Sequence, residues 1–159
     1  TFIEPTQQIR SFGVKLKHNV NKSLIKNKSL ILIDDSLVRG TTSVKIIKML
    51  YEAGAKEVHM RIASPPIKYP DYYGVDTPST DELLASKFDI EGMRKFINAK
   101  TLQFLSIEGL YKSMGYEKRN SSYPQFADHC FTGDYPVKPV DASDKNFTEN
   151  QLSFMSSKS

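Results

Sequence analysis

Leu30-Ile31-Leu32-Ile33-Asp34-Asp35-Ser36-Leu37-Val38-Arg39-Gly40-Thr41-Thr42-Ser43 reads as a strand, a short polar loop and the start of a helix. The opening run of four apolar residues is too short for a helix and is unbroken by polar ones. That pattern suits a strand buried on both faces of a parallel sheet. Two carboxylates follow at once, then an Arg and a Gly, then hydroxyl residues at a helix start. Acids therefore stand at the carboxyl end of a strand, beside the free N–H groups of a helix N-terminus. In open α/β sheets that edge is where ligands bind.

Each part has its own chemistry. A helix N-terminus offers unpaired N–H donors and a partial positive charge, which suits a phosphate. Gly40 permits close backbone approach and a positive φ. Thr41, Thr42 and Ser43 add hydroxyl donors. Asp34 and Asp35 are acceptors for sugar hydroxyls or ligands for a hard cation such as magnesium. Together these groups fit a sugar phosphate, with carboxylates on the ribose diol and amides on the 5′-phosphate. The plainer alternative is a polar strand end followed by Thr41 or Thr42 as an N-cap. Composition alone leaves the two readings even.

The stretch resembles the phosphoribosyl diphosphate (PRPP) motif of type I phosphoribosyltransferases, and in its Asp-Asp-Ser-Leu-Val-Arg-Gly-Thr-Thr-Ser form that of the amidophosphoribosyltransferases. The likeness runs from Thr1 to about Pro139. It takes in Phe2-Ile3-Glu4-Pro5-Thr6-Gln7-Gln8-Ile9-Arg10, Glu52-Ala53-Gly54-Ala55-Lys56-Glu57-Val58, Ala63-Ser64-Pro65-Pro66 and Tyr73-Gly74-Val75-Asp76. The resemblance implies an α/β, parallel-sheet type I phosphoribosyltransferase fold, incomplete here, followed by C-terminal helices. It implies transfer of ammonia from glutamine to PRPP, giving 5-phosphoribosylamine and diphosphate at the first committed step of purine synthesis. Asp34 and Asp35 would hold the ribose hydroxyls and Mg2+. Ser36 and Arg39, Gly40, Thr41, Thr42 and Ser43 would hold the substrate, chiefly its 5′-phosphate. Lys17 and Asn19 fall on a flexible loop that covers the diphosphate in the resembled enzymes. Two alternatives stay open: a phosphoribosyltransferase acting on a nucleobase, and a non-catalytic PRPP-sensing regulator of the same fold. The first calls for a base-binding hood and the second for a nucleic-acid-binding element, and neither is recognisable in the sequence.

The bulk properties agree with a globular domain. Across 159 residues, 39% are apolar and 25% charged, ordinary values for such a chain. No apolar run approaches a membrane span. The net charge of +4 suits a polyanion or a phosphate-rich small substrate. No aromatic–basic interleaving accompanies it, so nucleic acid is not an expected partner. The basic run Lys15, Lys17, His18, Lys22, Lys26 and Lys28 is a solvated face on composition alone; the resemblance favours a lid for Lys17. A single cysteine, Cys130, excludes an internal disulfide and suits a reducing compartment, here the cytoplasm. Thr1 begins the text inside a motif, so the chain reads as a C-terminal part lacking a glutaminase domain and inactive alone. When whole it is expected to form a homo-oligomer. Residues 1–139 read as the phosphoribosyltransferase part with its helical extension, and 140–159 as a disordered tail rich in Ser, Lys and Asn.

Further along, a helix is expected from Thr42 to Ala53 with Gly54 behind it, and a strand over residues 57–63. Strand, helix and strand with short joints make a parallel βαβ unit. His59 reads as a partly exposed strand residue. Ser79-Thr80-Asp81-Glu82 resembles a capping box, and Asp89 and Ser106 read as N-caps of two later helices. A short strand is expected at Leu102–Leu105. Some resembled enzymes hold an iron–sulfur cluster on four cysteines. At the matching positions this sequence has Asp71, Ala127 and Cys130, so no cluster is expected. Cys130 reads as a small packed residue, with a metal site on Asp128, His129 and Cys130 as a weak alternative.

Overall fold

The computed structural model describes residues 20–137. In chain order the elements are α1 (Lys22–Ile25), β1 (Ser29–Asp34), α2 (Thr41–Glu52), β2 (Glu57–Ile62), a 3-10 turn (Thr80–Glu82), α3 (Leu84–Lys87), α4 (Ile90–Ile97), β3 (Thr101–Phe104), α5 (Ile107–Ser113) and α6 (His129–Thr132). The strands form one sheet in the order β1-β2-β3. Both pairings are parallel, with Leu32 opposite Met60 and Met60 opposite Leu102. The expected βαβ unit is therefore present, and the third short strand extends it.

One face of the sheet carries the core. Val58, Met60 and Ile62 alternate inward along β2. They meet Ile47 and Leu50 of α2 and Met93 and Ile97 of α4. Ser43, Ile47 and Leu50 recur at the spacing that lines one side of a helix, and all are buried. Glycine follows α2 as expected: Gly54 has φ +95 and its N–H bonds to the Tyr51 carbonyl. Asp89 caps α4 by accepting from the Gly92 N–H at 2.7 Å. Ser106 caps α5 through the Gly109 N–H at 3.0 Å.

The other face differs from expectation. The apolar run predicts a β1 buried on both sides, yet Ile31 and Ile33 are 69% and 72% exposed. A continuous apolar run reports that a strand needs two covers, and among the described residues only the helical side has one. His59 on the same bare face is partly exposed, as expected, and bonds to the Thr101 hydroxyl at 2.9 Å. The Ser79–Glu82 stretch forms only a 3-10 turn, with no side-chain bond from Ser79 to a cap N–H. Glu82 is instead drawn to Arg39, as described below. Lys17 and Asn19, and the tail expected at 140–159, lie outside the described residues.

Candidate functional site

Parallel pairing leaves the carboxyl ends of the strands on one edge, and β1 delivers Asp34 there. Asp34 is braced on both sides. Its carbonyl accepts from the Ala63 N–H at 2.9 Å, and its carboxylate accepts from the Asp35 N–H at 3.1 Å. Asp35 in turn accepts from the Ser36 hydroxyl at 3.1 Å. Each ionised carboxylate has about four lone-pair sites, so two of them side by side can take a hydroxyl or a hard cation, and the donor set fits magnesium.

The loop then turns inward and out again. Leu37 inserts into the core at 2% exposure, anchoring a loop that is otherwise polar. The Val38 carbonyl accepts from the Leu84 N–H at 2.9 Å. Arg39 pairs with Glu82 at 3.0 Å, both side chains about half exposed. Gly40 is the N-cap of α2 with φ +75 and no side-chain cap bond. Neither Thr41 nor Thr42 is the cap, which the plainer sequence reading places at one of them. A residue in this left-handed region with no side chain leaves the first N–H groups of a twelve-residue helix without a capping oxygen of their own. The site therefore has acids on one side and uncapped N–H donors with a dipole on the other.

Gly40 is also a matter of space. A Cβ there would lie 2.9 Å from the Leu84 side chain and 3.1 Å from the Phe96 ring. Helices α3 and α4 thus press on the loop from behind and hold its backbone in place. Of the residues singled out in sequence, Asp34, Asp35, Ser36, Arg39, Gly40, Thr41, Thr42 and Ser43 are gathered at this one edge. Ser43 is buried, so its hydroxyl is turned from solvent. Sequence reasoning missed Glu82, Leu84 and Phe96, which support the loop from far along the chain; Glu82 lies 43 residues beyond Arg39. Glu82 is legible in sequence only as part of a capping box.

A second polar group lies away from this edge. Asp71 accepts the Tyr73 and Val75 N–H groups at 2.9 and 2.7 Å, and its other oxygen lies 2.5 Å from His129 Nε2. Burial raises its carboxyl pKa, but those backbone donors and His129 outweigh that and leave it below the ordinary value. Asp128, the neighbour expected to join His129 and Cys130, faces elsewhere. It accepts from Arg119 at 2.5 and 3.0 Å and from the Tyr111 hydroxyl at 2.9 Å. The three adjacent residues do not share one site, because the Asp128 carboxylate is taken up by Arg119 and Tyr111. The four-thiolate cluster of some resembled enzymes does not fit, since Asp71 and Ala127 stand where thiolates would be needed and the chain has one cysteine.

Comparison with known proteins agrees with this geometry. The chain is 57% identical to the amidophosphoribosyltransferase of Rhizobium etli over 158 residues, 99% of this chain and 32% of that protein. It is 52% identical to a chloroplastic amidophosphoribosyltransferase of Arabidopsis thaliana over 91% of this chain and 25% of that protein. The glutamine PRPP amidotransferase of Bacillus subtilis, solved with ADP and GMP, superposes with a TM-score of 0.70 at 46% identity, covering 84% of this chain and 29% of that one. The three-stranded parallel sheet with its helices matches the phosphoribosyltransferase fold of that structure. No family model matches the chain. The chain spans about a third of the length of the Rhizobium relative, 32%. Among the described residues no helix is long and apolar enough to cross a membrane.

Proposed function

We infer that the chain belongs to the amidophosphoribosyltransferases and propose that it forms the ribose-phosphate side of their site. On this reading residues 1–139 are part of a phosphoribosyltransferase domain. Ammonia, released from glutamine elsewhere in the whole protein, attacks C1 of PRPP. A C–N bond forms as the C1–O bond to diphosphate breaks, diphosphate leaves, and the attacking nitrogen loses a proton to water. The product is 5-phosphoribosylamine. The observation that carries the proposal is the edge where Asp34 and Asp35 meet the N-terminus of α2 across the Gly40 turn.

The residues act mostly by placement. The N–H groups of Gly40 to Ser43 and the Thr41 and Thr42 hydroxyls hold the 5′-phosphate, with Arg39 beside them. Asp34 and Asp35 accept from the ribose hydroxyls and turn C1 toward the nucleophile. Fixing the sugar at both ends removes rotational freedom that the reaction would otherwise have to lose at the barrier. Asp34 and Asp35 would hold Mg2+, directly or through water, and the ion when bound would supply charge neutralisation for the diphosphate. Lys17 and Asn19 are proposed to meet that diphosphate from a lid. Assembly as a homo-oligomer and residence in the cytoplasm belong to the same proposal; the plant relatives are chloroplastic.

Asp34→Asn combined with Asp35→Asn in the whole protein tests the assignment. Diphosphate release from PRPP with ammonium is expected to fall on the order of 100-fold, while glutamine hydrolysis continues. Unchanged ammonia-dependent turnover in the double variant would place the ribose and metal elsewhere.

A further inference from the structure

Asp71, His129 and Cys130 each present one ligand atom within 4.8 Å of the others. They come from two separate places: Asp71 from the loop after β2, and His129 and Cys130 from the first turn of α6. His129 is 2% exposed, and its Nδ1 is buried with no hydrogen-bond partner. With Nε2 bonded to Asp71, the ring leaves Nδ1 unmatched in either protonation state. As a lone pair it lacks a donor, and as an N–H it lacks an acceptor. The opposite ring nitrogen, Nε2, faces the Asp71 carboxylate, so a buried imidazole, a carboxylate and a thiol converge on one place.

We propose that Asp71, His129 and Cys130 form a mononuclear binding site for a borderline divalent cation of the zinc class. The donor set is one carboxylate, one imidazole and one thiolate. That mixture suits zinc over magnesium or calcium, which take oxygen ligands almost alone. Three protein donors leave a fourth tetrahedral position for water. Asp71 and His129 Nε2 stand 2.5 Å apart. Zinc ligand distances put two tetrahedral ligands roughly 3.3 Å apart, so these two side chains need to part by under about 1 Å to take the ion between them.

The surroundings are prepared for it. Asp71 is oriented by the Tyr73 and Val75 N–H groups, which hold one oxygen and leave the other directed at His129. Outer donors that fix a ligand in this way typically tune metal affinity. The ring of His129 is wedged between Tyr73 at 4.9 Å and Tyr135 at 5.0 Å. The Cys130 carbonyl accepts from the Lys68 and Tyr69 N–H groups at 2.9 and 3.1 Å, so loop and helix already meet there. Burial raises the Cys130 thiol, and the Asp71 charge adds to it. A bound cation reverses both effects and makes the thiolate the stable form. Its consequence is a clasp that ties the loop around Asp71 to α6. Nothing in this clasp depends on the function proposed for residues 34–43.

The test uses the whole protein, purified under reducing conditions without a metal-affinity tag and stripped with a chelator. Zinc is titrated by calorimetry, and cobalt(II) is substituted to give an absorption spectrum. One equivalent per chain is expected, with thiolate-to-cobalt charge transfer and tetrahedral ligand-field bands. Cys130→Ser is expected to lose the charge-transfer band, and His129→Gln and Asp71→Asn to weaken binding at least tenfold. Zinc should also raise the melting temperature of the unaltered protein and not that of Cys130→Ser. Absence of stoichiometric binding in the unaltered protein overturns the proposal without reference to how any variant folds. Binding that is unchanged in both Cys130→Ser and His129→Gln also overturns it, because the ion would then sit elsewhere. Stoichiometric iron with inorganic sulfide would do the same, since one thiolate would then have been joined by ligands not named here.

Discussion

Gly40→Ala separates two effects that the loop at the end of β1 combines. The backbone there has φ +75, and an added Cβ would stand 2.9 Å from Leu84 Cδ2 and 3.1 Å from Phe96 Cε1. An alanine in the left-handed region costs about 1–2 kcal/mol. The contact adds to that, because Leu84 is buried at 3% exposure and has little room to turn away. Phe96, at 45% exposure, yields more readily, which keeps the overpacking near the lower end of its usual range, about 1 kcal/mol. The expected loss is therefore about 2–3 kcal/mol. Gly115→Ala is the control: φ is +87, close to that of Gly40, and nothing lies within 4 Å of the added carbon. It should lose only the backbone share. Urea unfolding of both variants in the whole protein reads the difference, and PRPP titration reads whether the loop has moved. KM for PRPP should rise in Gly40→Ala and stay level in Gly115→Ala. Equal stability losses in the two variants would refute the claim that α3 and α4 press on the loop.

Glu82→Gln should change stability by less than about 1 kcal/mol, since its pair with Arg39 is half exposed. KM for PRPP should nevertheless rise, because Arg39 loses the partner that orients it; steady-state kinetics at saturating ammonium would reveal an unchanged KM if the pair were idle. Asp128→Ala should cost about 3 kcal/mol by leaving Arg119 and the Tyr111 hydroxyl without their shared acceptor, read by thermal unfolding against the unaltered protein. Burial raises the Asp128 pKa, but bonds from Arg119 and Tyr111 outweigh it and hold the carboxyl below its usual 3.8. Its contribution should thus be whole above that value and fade only as pH falls through the lower folded one, so that acid unfolding curves of Asp128→Ala and the unaltered protein converge at low pH. Residues 1–159 expressed alone should show no diphosphate release above background with PRPP, magnesium and ammonium, because among the described residues the Ile31 and Ile33 face of the sheet is uncovered; turnover by these residues alone would show the site to be complete without further chain.

Local chemistry alone determined much of this protein. The apolar run 30–33 and the Gly-Thr-Thr turn already specify a strand and a helix start, because each depends on neighbours in the chain, whereas a ligand role for the two acids is what the resemblance implies. Asp89 and Ser106 are legible as caps for the same reason: a side-chain oxygen reaches an N–H three residues on. Tertiary structure decided what bears on those elements from a distance. Glu82 is legible as half of a capping box, yet its carboxylate goes to Arg39, because packing α3 against the loop brings that guanidinium to 3.0 Å from it. Asp71 and His129 are 58 residues apart and carry no shared pattern, so only the return of the chain over the loop after β2 makes them partners. Asp128, adjacent to His129 in sequence, is turned to Arg119 instead. Short-range capping and periodicity follow from covalent spacing, whereas the choice among long-range polar partners follows from which buried groups the fold brings within hydrogen-bonding distance.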